Sequence, residues 1–488
     1  MLKKSLLSLF LITLLCSTQI QANESIDDDL SGFSTDEDIS SDDISGFEEE
    51  SELDGFDEES DYTNEEEVQE LQEEPSKLSL SGNVAFKSSY GYQRHTVSGI
   101  DYSGFNQAQT ALYLQADYKL SKKWKLRASG DAFYDLIYDI HSDKNYAKNV
   151  LDAYQTQLRI DDIYAQGSIT RDIDLKIGRQ IVVWGKSDSI RITDVINPLD
   201  NRLPGLTDIE DLRLSTTMAK LDYYHEDWNF STMLIAESRI MLEATPNGEF
   251  FPALDIFSSA PNPFIELVQP EHSLDNLQYA LGANGVFSGW DLSFYGANVL
   301  DQKWHFDKIP SPSTPLSSVK RVVSKINMLG SAINIASGSW LLKSEVAFIN
   351  GVRYNSTADE KDRADLLVGF DYMGVKDTVL SLEIANRHIF EYETQMGGVP
   401  DFVDEDEIQT ALRATKSFLN DTLNATALVS MFGSSWQKGG FARVWAEYDL
   451  MDGVVANAGI VDYIGGDREI MQANSNNDRL FMDITFSF

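Results

Sequence analysis

The side chains best suited to chemistry lie between Gly178 and Arg213, where charges of both signs crowd a segment that contains the rigid turns Asn197-Pro198 and Pro204-Gly205. Charged groups on such a loop can line a water-filled passage and set its selectivity. They can also bond to one another and only pin the loop to a wall. Both interpretations stay open. The candidate lumen or constriction residues are Arg179, Lys186, Asp188, Arg191, Asp194, Asp200, Arg202, Asp208, Glu210 and Arg213.

Enzyme chemistry is not indicated by any motif. The chain has no His-Glu-x-x-His, no Gly-x-Ser-x-Gly and no glycine-rich phosphate loop followed by Lys. We therefore predict no catalytic residues, no metal and no cofactor; the remaining enzyme interpretation is a hydrolase that assembles Ser and His from separate strands. The six histidines lack metal-ligand spacing: His95, His141, His225, His272, His305 and His388.

Residues 1–22 have the pattern of a secretory signal peptide. Lys3 and Lys4 precede a short apolar run that leads to the small residue Ala22. The only cysteine, Cys16, lies inside this segment, so disulfides and zinc–thiolate sites are excluded from the exported chain.

The negative charge of the chain is concentrated in the residues that follow. The formal net charge is −39, and residues 24–74 hold 24 of the 78 acidic residues but no Lys or Arg. Such a segment cannot bury enough apolar surface to offset its ordering entropy, so we predict a disordered acidic tail over 23–75. A chain of this charge is not expected to bind nucleic acid.

Three Gly-Phe repeats interrupt the tail. Phe33, Phe47 and Phe56 each follow a Gly in a short repeat that begins with an aliphatic residue. Spaced aromatic residues in a charged coil suggest anchors for a periplasmic partner. The alternatives are a solvated spacer, or a segment that holds divalent cations weakly.

From Pro75 onward, short stretches alternate apolar with polar residues, as in Leu78, Val84 and Phe86. This alternation is typical of strands with one apolar face, and no later apolar run is long enough for a helical span. In lipid, only helices and closed barrels satisfy every backbone polar group. Residues 76–488 are therefore predicted to form an all-β, transmembrane antiparallel up-and-down β-barrel.

Tight turns and long connections alternate along the barrel region, which is typical of outer-membrane barrels. Eight short turns, with both ends of the barrel on the periplasmic side, predict 18 strands, with 16 as the alternative. The predicted long connections include 92–110, 136–157, 186–213, 237–276, 300–322 and 387–408.

Aromatic residues favour the same orientation. Four tryptophans come directly after short turns, where amphipathic indole rings suit a membrane–water boundary. The simpler interpretation is that tryptophan is a favourable strand residue. These predicted interface aromatics are Trp124, Trp228, Trp290 and Trp340.

The C-terminal residues alternate apolar and polar side chains up to Phe488. A strand of this kind resembles the assembly signal of outer-membrane barrels, so Phe486 and Phe488 are predicted to engage the barrel-assembly machinery. The alternative is a half-buried strand of a soluble β protein.

The connection at 237–276 is unusually apolar. It is expected to cap the barrel or line a hydrophobic entry route, or to form a local cluster that stabilises a long loop. Its apolar residues are Phe250, Phe251, Leu254, Ile256, Phe257, Phe264, Ile265, Leu267 and Val268.

The runs Gly178-Arg179-Gln180, Trp184-Gly185, Asp194 to Asp200 and Asp208 to Arg213 resemble a proteobacterial outer-membrane family catalogued as a domain of unknown function (number 1302). The Gly-Arg-Gln element is also similar, more weakly, to alginate-export and other substrate-specific porins. The resemblance is specific over about 175–225. It implies an outer-membrane barrel that passes small or lipid-like molecules, considered alongside inner-membrane exporters, and it implies no catalytic residues.

These features predict a passive, substrate-selective channel or export portal in the outer membrane of a Gram-negative cell envelope, with the acidic tail in the periplasm. The alternative is a non-conducting barrel, plugged by its own loops, that anchors or recruits a periplasmic transport assembly through the tail. The expected partners are outer-membrane lipid, the barrel-assembly machinery and a periplasmic or inner-membrane transport protein.

Overall fold

The computed structural model describes residues 76–251, 267–309, 319–398 and 400–488. The predicted signal peptide, the predicted acidic tail and the candidate anchors Phe33, Phe47 and Phe56 lie outside the described residues. The same is true of residues 252–266 in the apolar connection.

Within those ranges, eighteen antiparallel strands form one closed barrel, and this confirms the predicted fold and strand number. Each strand pairs with the next along the chain, and the last strand returns to the first, with Asn83 opposite Ser487 and Gly91 opposite Arg479. The strands are β1 (Leu78–Gly91), β2 (Gly104–Lys119), β3 (Trp124–Asp135), β4 (Thr156–Ser168), β5 (Ile173–Gln180), β6 (Thr216–His225), β7 (Trp228–Ile235), β8 (Gln278–Phe287), β9 (Trp290–Leu300), β10 (Lys325–Ser337), β11 (Trp340–Val352), β12 (Lys361–Val375), β13 (Thr378–Ile389), β14 (Asp406–Phe418), β15 (Leu423–Phe432), β16 (Gly440–Met451), β17 (Val454–Ile464) and β18 (Arg479–Ser487).

Alternation along each strand separates a lipid-facing surface from the lumen. In β11, Leu342, Val346 and Phe348 are exposed on the outer surface, whereas Lys343 and Glu345 between them are buried. Buried charges on the inner face need partners inside the barrel.

Short turns join the strands at one end, as predicted. The two-residue turn after β8 uses Gly289 with φ +81°, a left-handed conformation that favours glycine and matches the twist of a tight hairpin. The opposite end carries the long connections, of which 181–215 and 236–277 are the longest.

Helical elements are few and lie in these connections. They are α1 (Ile137–Ile140), α2 (Lys148–Tyr154), α3 (Glu469–Asn474) and single 3₁₀ turns at Ser142–Lys144, Leu274–Asn276 and Thr394–Gly397. Among the described residues, no helix is long and apolar enough to cross a membrane. Two-residue strands pair Thr96–Val97 with Ile100–Asp101, Asp200–Asn201 with Leu242–Glu243, and His305–Phe306 with Arg321–Val322.

Candidate functional site

Residues 181–215, called the inner loop below, leave the wall after β5 and pack inside the barrel. Their first anchor is Glu345 of β11, a wall carboxylate that is 1% exposed. It accepts hydrogen bonds from the backbone N–H groups of Lys186 (2.6 Å) and Ser187 (2.8 Å), and from the N–H and hydroxyl of Thr193 (3.1 and 2.8 Å). Four donors satisfy a charge that would otherwise be costly to bury.

Glu383 of β13 forms the second anchor. Its carboxylate accepts hydrogen bonds from the N–H groups of Asp188 (2.8 Å) and Ser189 (3.1 Å) and from the hydroxyl of Ser187 (2.9 Å).

Gly185, with φ +91°, brings the chain so close to the wall that a Cβ there would lie 2.8 Å from the Glu345 carboxylate oxygens. The segment therefore needs glycine at this position.

Side-chain ion pairs reinforce this contact. Lys343 of β11 bonds to Asp188 of the inner loop and to Asp371 of β12 (2.7 Å to Asp371). Lys186 lies 2.9 Å from Asp291 of β9. The inner loop is thus held against the wall from β9 to β13.

The neck of the inner loop is closed by Asn197, which is fully buried. Its side-chain oxygen accepts the N–H of Val182 (2.8 Å), and its amide group donates to the carbonyls of Gln180 (3.3 Å) and Leu214 (2.9 Å). One amide therefore joins the two ends of the loop.

The buried charges inside the loop pair locally. Asp194 lies between Arg191 (3.1 Å) and Arg213 (2.8 Å). Burial lowers the pKa of the Arg191 guanidinium, and the charge of Asp194 opposes that effect. Burial alone would raise the pKa of Asp200, but the hydrogen bonds and charge of Arg202 lower it.

The far end of the inner loop reaches other parts of the wall. Asp208 forms ion pairs with Arg413 of β14 (3.2 Å) and Arg443 of β16. The hydroxyl of Tyr463 in β17 donates to the carbonyl of Pro204 (2.7 Å). Asp200, by contrast, faces Arg159 of β4 at 3.3 Å. The inner loop therefore crosses the lumen.

Two acidic residues at the far end of the loop remain exposed. Partial burial of their carboxyl groups inside the barrel raises the pKa of both Glu210 and Asp211, and nearby carboxylates raise it further. Repulsion among them leaves this end of the loop sensitive to protonation.

Nine of the ten charged candidates belong to the inner loop. The tenth, Arg179, does not, and the structure corrects its predicted place in the lumen. It precedes the loop and shares the outward face with Ile177, which is 49% exposed, because successive strand residues alternate faces. Arg179 forms an ion pair with Glu237 and donates to the carbonyl of Ile160 (3.1 Å) on that outer side. It does not line the lumen.

The wall partners of the loop were missed in the sequence. Lys343 and Glu345 occupy inward positions two residues apart in β11, and Glu383 and Arg443 occupy inward positions in β13 and β16. Charges at inward positions of a membrane strand are the signal that could have identified them.

The described part of the apolar connection also packs inside. Phe250 is 2% exposed and packs against Val461 and Tyr463, together with Leu203 of the inner loop. Arg479 lies over the Phe250 ring, 4.8 Å from its centroid. The two long connections thus meet within the barrel.

Among the described residues, one cavity lies on each side of the inner loop. Thr207 and Leu212 line both cavities. One, of about 330 Å³, lies against Asp131 and Arg159. The other, of about 690 Å³, lies against the opposite wall and is lined by both charged and aromatic side chains, among them Lys303, Arg363, Arg387, Tyr354 and Phe441.

The predicted interface tryptophans are the first residues of β3, β7, β9 and β11. Each has the parity of outward-facing apolar neighbours, such as Leu126 for Trp124 and Phe294 for Trp290. Phe486 and Phe488 are also exposed, and their rings lie 6.1 Å apart. Their roles at the interface and in assembly stay predictions. In the described ranges, no cluster of three His, Asp or Glu side chains could hold a metal ion.

Comparison with known proteins agrees with this architecture. A family model described as a protein of unknown function (DUF1302) matches residues 81–488, whereas no curated protein matches the chain. The crystal structure of Pseudomonas aeruginosa OccK9 (OpdG) has 11% identity and a TM-score of 0.50, with 84% of this chain and 97% of that chain covered. OccK5 (OpdH) of the same organism has 11% identity and a TM-score of 0.48, with 84% and 98% covered. Acinetobacter baumannii OccAB1 has 10% identity and a TM-score of 0.48, with 84% and 96% covered. At this identity, the likeness to OccK9 shows a shared fold.

Proposed function

The chain belongs to the DUF1302 family, and from the inner loop that crosses its porin-like barrel we propose a passive, substrate-selective channel or export portal of the bacterial outer membrane for small or lipid-like molecules. One observation supports this proposal most directly: Glu345 and Glu383 fix the loop across the lumen, and a cavity remains on each side of it. A fixed constriction with charged side chains is the usual means by which a large barrel selects what passes.

The test is single-channel current through the purified protein in planar bilayers, with and without residues 23–75. We expect a steady ohmic current in both forms, because the inner loop and its anchors lie entirely within the barrel. Ion selectivity would then report the charges at the far end of the loop. Correctly folded protein that carries no current in either form would overturn the channel proposal.

A second candidate function is favoured by the packing of the two long connections inside the barrel. A lumen filled by Phe250 and the inner loop suits a non-conducting barrel that anchors or recruits a periplasmic transport assembly. The acidic tail with Phe33, Phe47 and Phe56 would supply the contact in that case. Loss of periplasmic partners from a tail-deleted protein after cross-linking in cells, without any current in bilayers, would support this second candidate.

A further inference from the structure

The barrel wall is low on one side. β5 and β7 contain 8 residues each, whereas the neighbouring β4 contains 13. At about 3.3 Å per residue and a tilt of about 40°, 8 residues span about 20 Å, less than the roughly 25 Å apolar band of an outer-membrane barrel. β6, which lies between them, contains 10 residues and spans about 25 Å, so the wall is lowest at β5 and β7 and steps down from β4 to β5.

The step beside β4 leaves part of that strand without a neighbour. β5 pairs with β4 only from Ile163 to Ser168, so within the described residues Thr156–Asp162 has no strand on this side. Two outward side chains of this stretch are large and apolar: Leu158 is 89% exposed and Ile160 is 52% exposed. An unpaired strand edge facing lipid is unfavourable unless polar groups reach it.

Arginine side chains surround the step. Arg179 donates to the carbonyl of Ile160 and pairs with Glu237 on the outer side. Arg239 donates to the carbonyl of Ser215, and no carboxylate of the described residues lies within ion-pair distance of it. Its electrostatic neighbours are the positive charges of Arg179 and Arg159 and the negative charges of Glu237 and Asp161. Arg179 and Arg159 both have carboxylate partners, so among the described residues Arg239 is the arginine at the step whose guanidinium would meet an anion.

Apolar and open space lies on both sides of the step. On the lipid side, Leu126, Ile163 and Ile177 line a groove on the outer face of β2 to β5. On the lumen side, Gln157 and Arg159 of the unpaired stretch line the cavity of about 330 Å³. The step thus separates a lipid-facing groove from an internal cavity.

We propose that this step in the wall is a lateral portal through which an amphiphile with an anionic headgroup exchanges between the outer leaflet and the lumen. The apolar chain lies in the outer groove, and the headgroup meets Arg239 above the top of β5. The proposal deepens the proposed function, on which it rests for the onward passage through the lumen. Because it predicts lipid contact at an inward-facing position, it can be judged without any current.

The test is lipid photo-cross-linking from single cysteines in a Cys16→Ser background, which removes the only natural cysteine. Gln157→Cys lies behind the step, and Gln409→Cys is the matched control on the inner face of the taller β14; each glutamine accepts a hydrogen bond from an arginine. Both are labelled with a benzophenone maleimide in vesicles of phosphatidylglycerol or of phosphatidylcholine. We expect several-fold more lipid adducts at 157 than at 409, with phosphatidylglycerol preferred.

Arg239→Gln should remove the preference for phosphatidylglycerol at 157, whereas Arg353→Gln, at an arginine paired with Glu360, should leave it intact. Equal labelling at 157 and 409 in folded protein would overturn the portal, even if the barrel conducts. Higher labelling at 157 with no headgroup preference would overturn the role of Arg239. A non-conducting protein with strong labelling at 157 would contradict the channel and keep the portal.

Discussion

At the scale of single residues, the charged side chains that fix the inner loop to the wall pair with residues far away in the sequence. The sequence identified Asp188 and Asp208 as candidates, but their partners Lys343 and Arg443 lie about 155 and 235 positions away. Nothing in the local sequence links such pairs, because barrel closure alone brings them together. Arg179 was misplaced for a related reason: its face depends on strand parity, which the Gly-Arg-Gln motif does not show.

Protonation of the loop end should change ion selectivity. Burial and neighbouring carboxylates raise the pKa of Glu210 and Asp211, so both take up protons at a higher pH than ordinary carboxyls. Since their folded-state pKa is raised, the ionised forms cost stability above that pKa, and the cost disappears as the pH falls through it. We expect cation preference, read as the reversal potential in a salt gradient, to fall as the pH is lowered from neutral.

Glu210→Gln with Asp211→Asn should flatten this pH profile, and Asp421→Asn, at a turn on the opposite end of the barrel, should not. A double variant that keeps the parent profile would show that other groups carry the pH response.

Asn197 should be the most sensitive neutral residue of the inner loop. Asn197→Ala removes three buried hydrogen bonds and leaves the N–H of Val182 without the acceptor that Asn197 supplies. We expect the free energy of unfolding, measured by urea titration in vesicles, to fall by about 2–3 kcal/mol. Asn201→Ala is the control, because among the described residues its side chain donates one weak hydrogen bond, to the Met241 sulfur at 3.8 Å, and the substitution should change little. Equal effects of the two substitutions would contradict the role given to Asn197.

At the scale of elements, strands and turns could be predicted because their signals are local. Alternating apolar residues and turn residues located the eight tight turns. Strand ends with few apolar residues could not be recognised as strand. β2 begins at Gly104 rather than after the predicted connection 92–110, since Asn106 to Thr110 offers no apolar face to recognise. The path of the inner loop could not be predicted, because Glu345 and Glu383 on other strands determine it.

Loosening those two anchors should free the inner loop without opening the barrel. Glu345→Gln with Glu383→Gln weakens seven hydrogen bonds from loop donors by removing the charge that accepts them. We expect faster amide hydrogen exchange over 185–193, with unchanged exchange in the strands. Glu447→Gln is the control, because Glu447 accepts a bond from Trp445 of its own strand and none from the loop. Unchanged exchange in the double variant would contradict the anchoring.

At the scale of the whole molecule, the strands of the barrel wall could be predicted from the sequence, whereas the packing of the loops inside the barrel could not. Strand number follows from counting turns, but the packing of Phe250 against Tyr463 joins regions more than 200 residues apart. The inner loop, the apolar connection and the low side of the wall together define which parts of the lumen stay open. The selectivity of the proposed channel is therefore expected to depend on the assembled barrel and not on one motif.

The most direct test of this account removes the part of the inner loop that crosses the lumen. Residues 200–212 form a lobe whose base is closed by a hydrogen bond from the Asp200 N–H to the Leu212 carbonyl (2.7 Å), so two glycines can replace 201–211 without disturbing the anchors at 185–193. Single-channel current of this variant, compared with the parent protein, is the measurement. We predict a several-fold larger conductance with weaker ion selectivity. An unchanged current and selectivity in folded protein would contradict the claim that the inner loop constricts the channel.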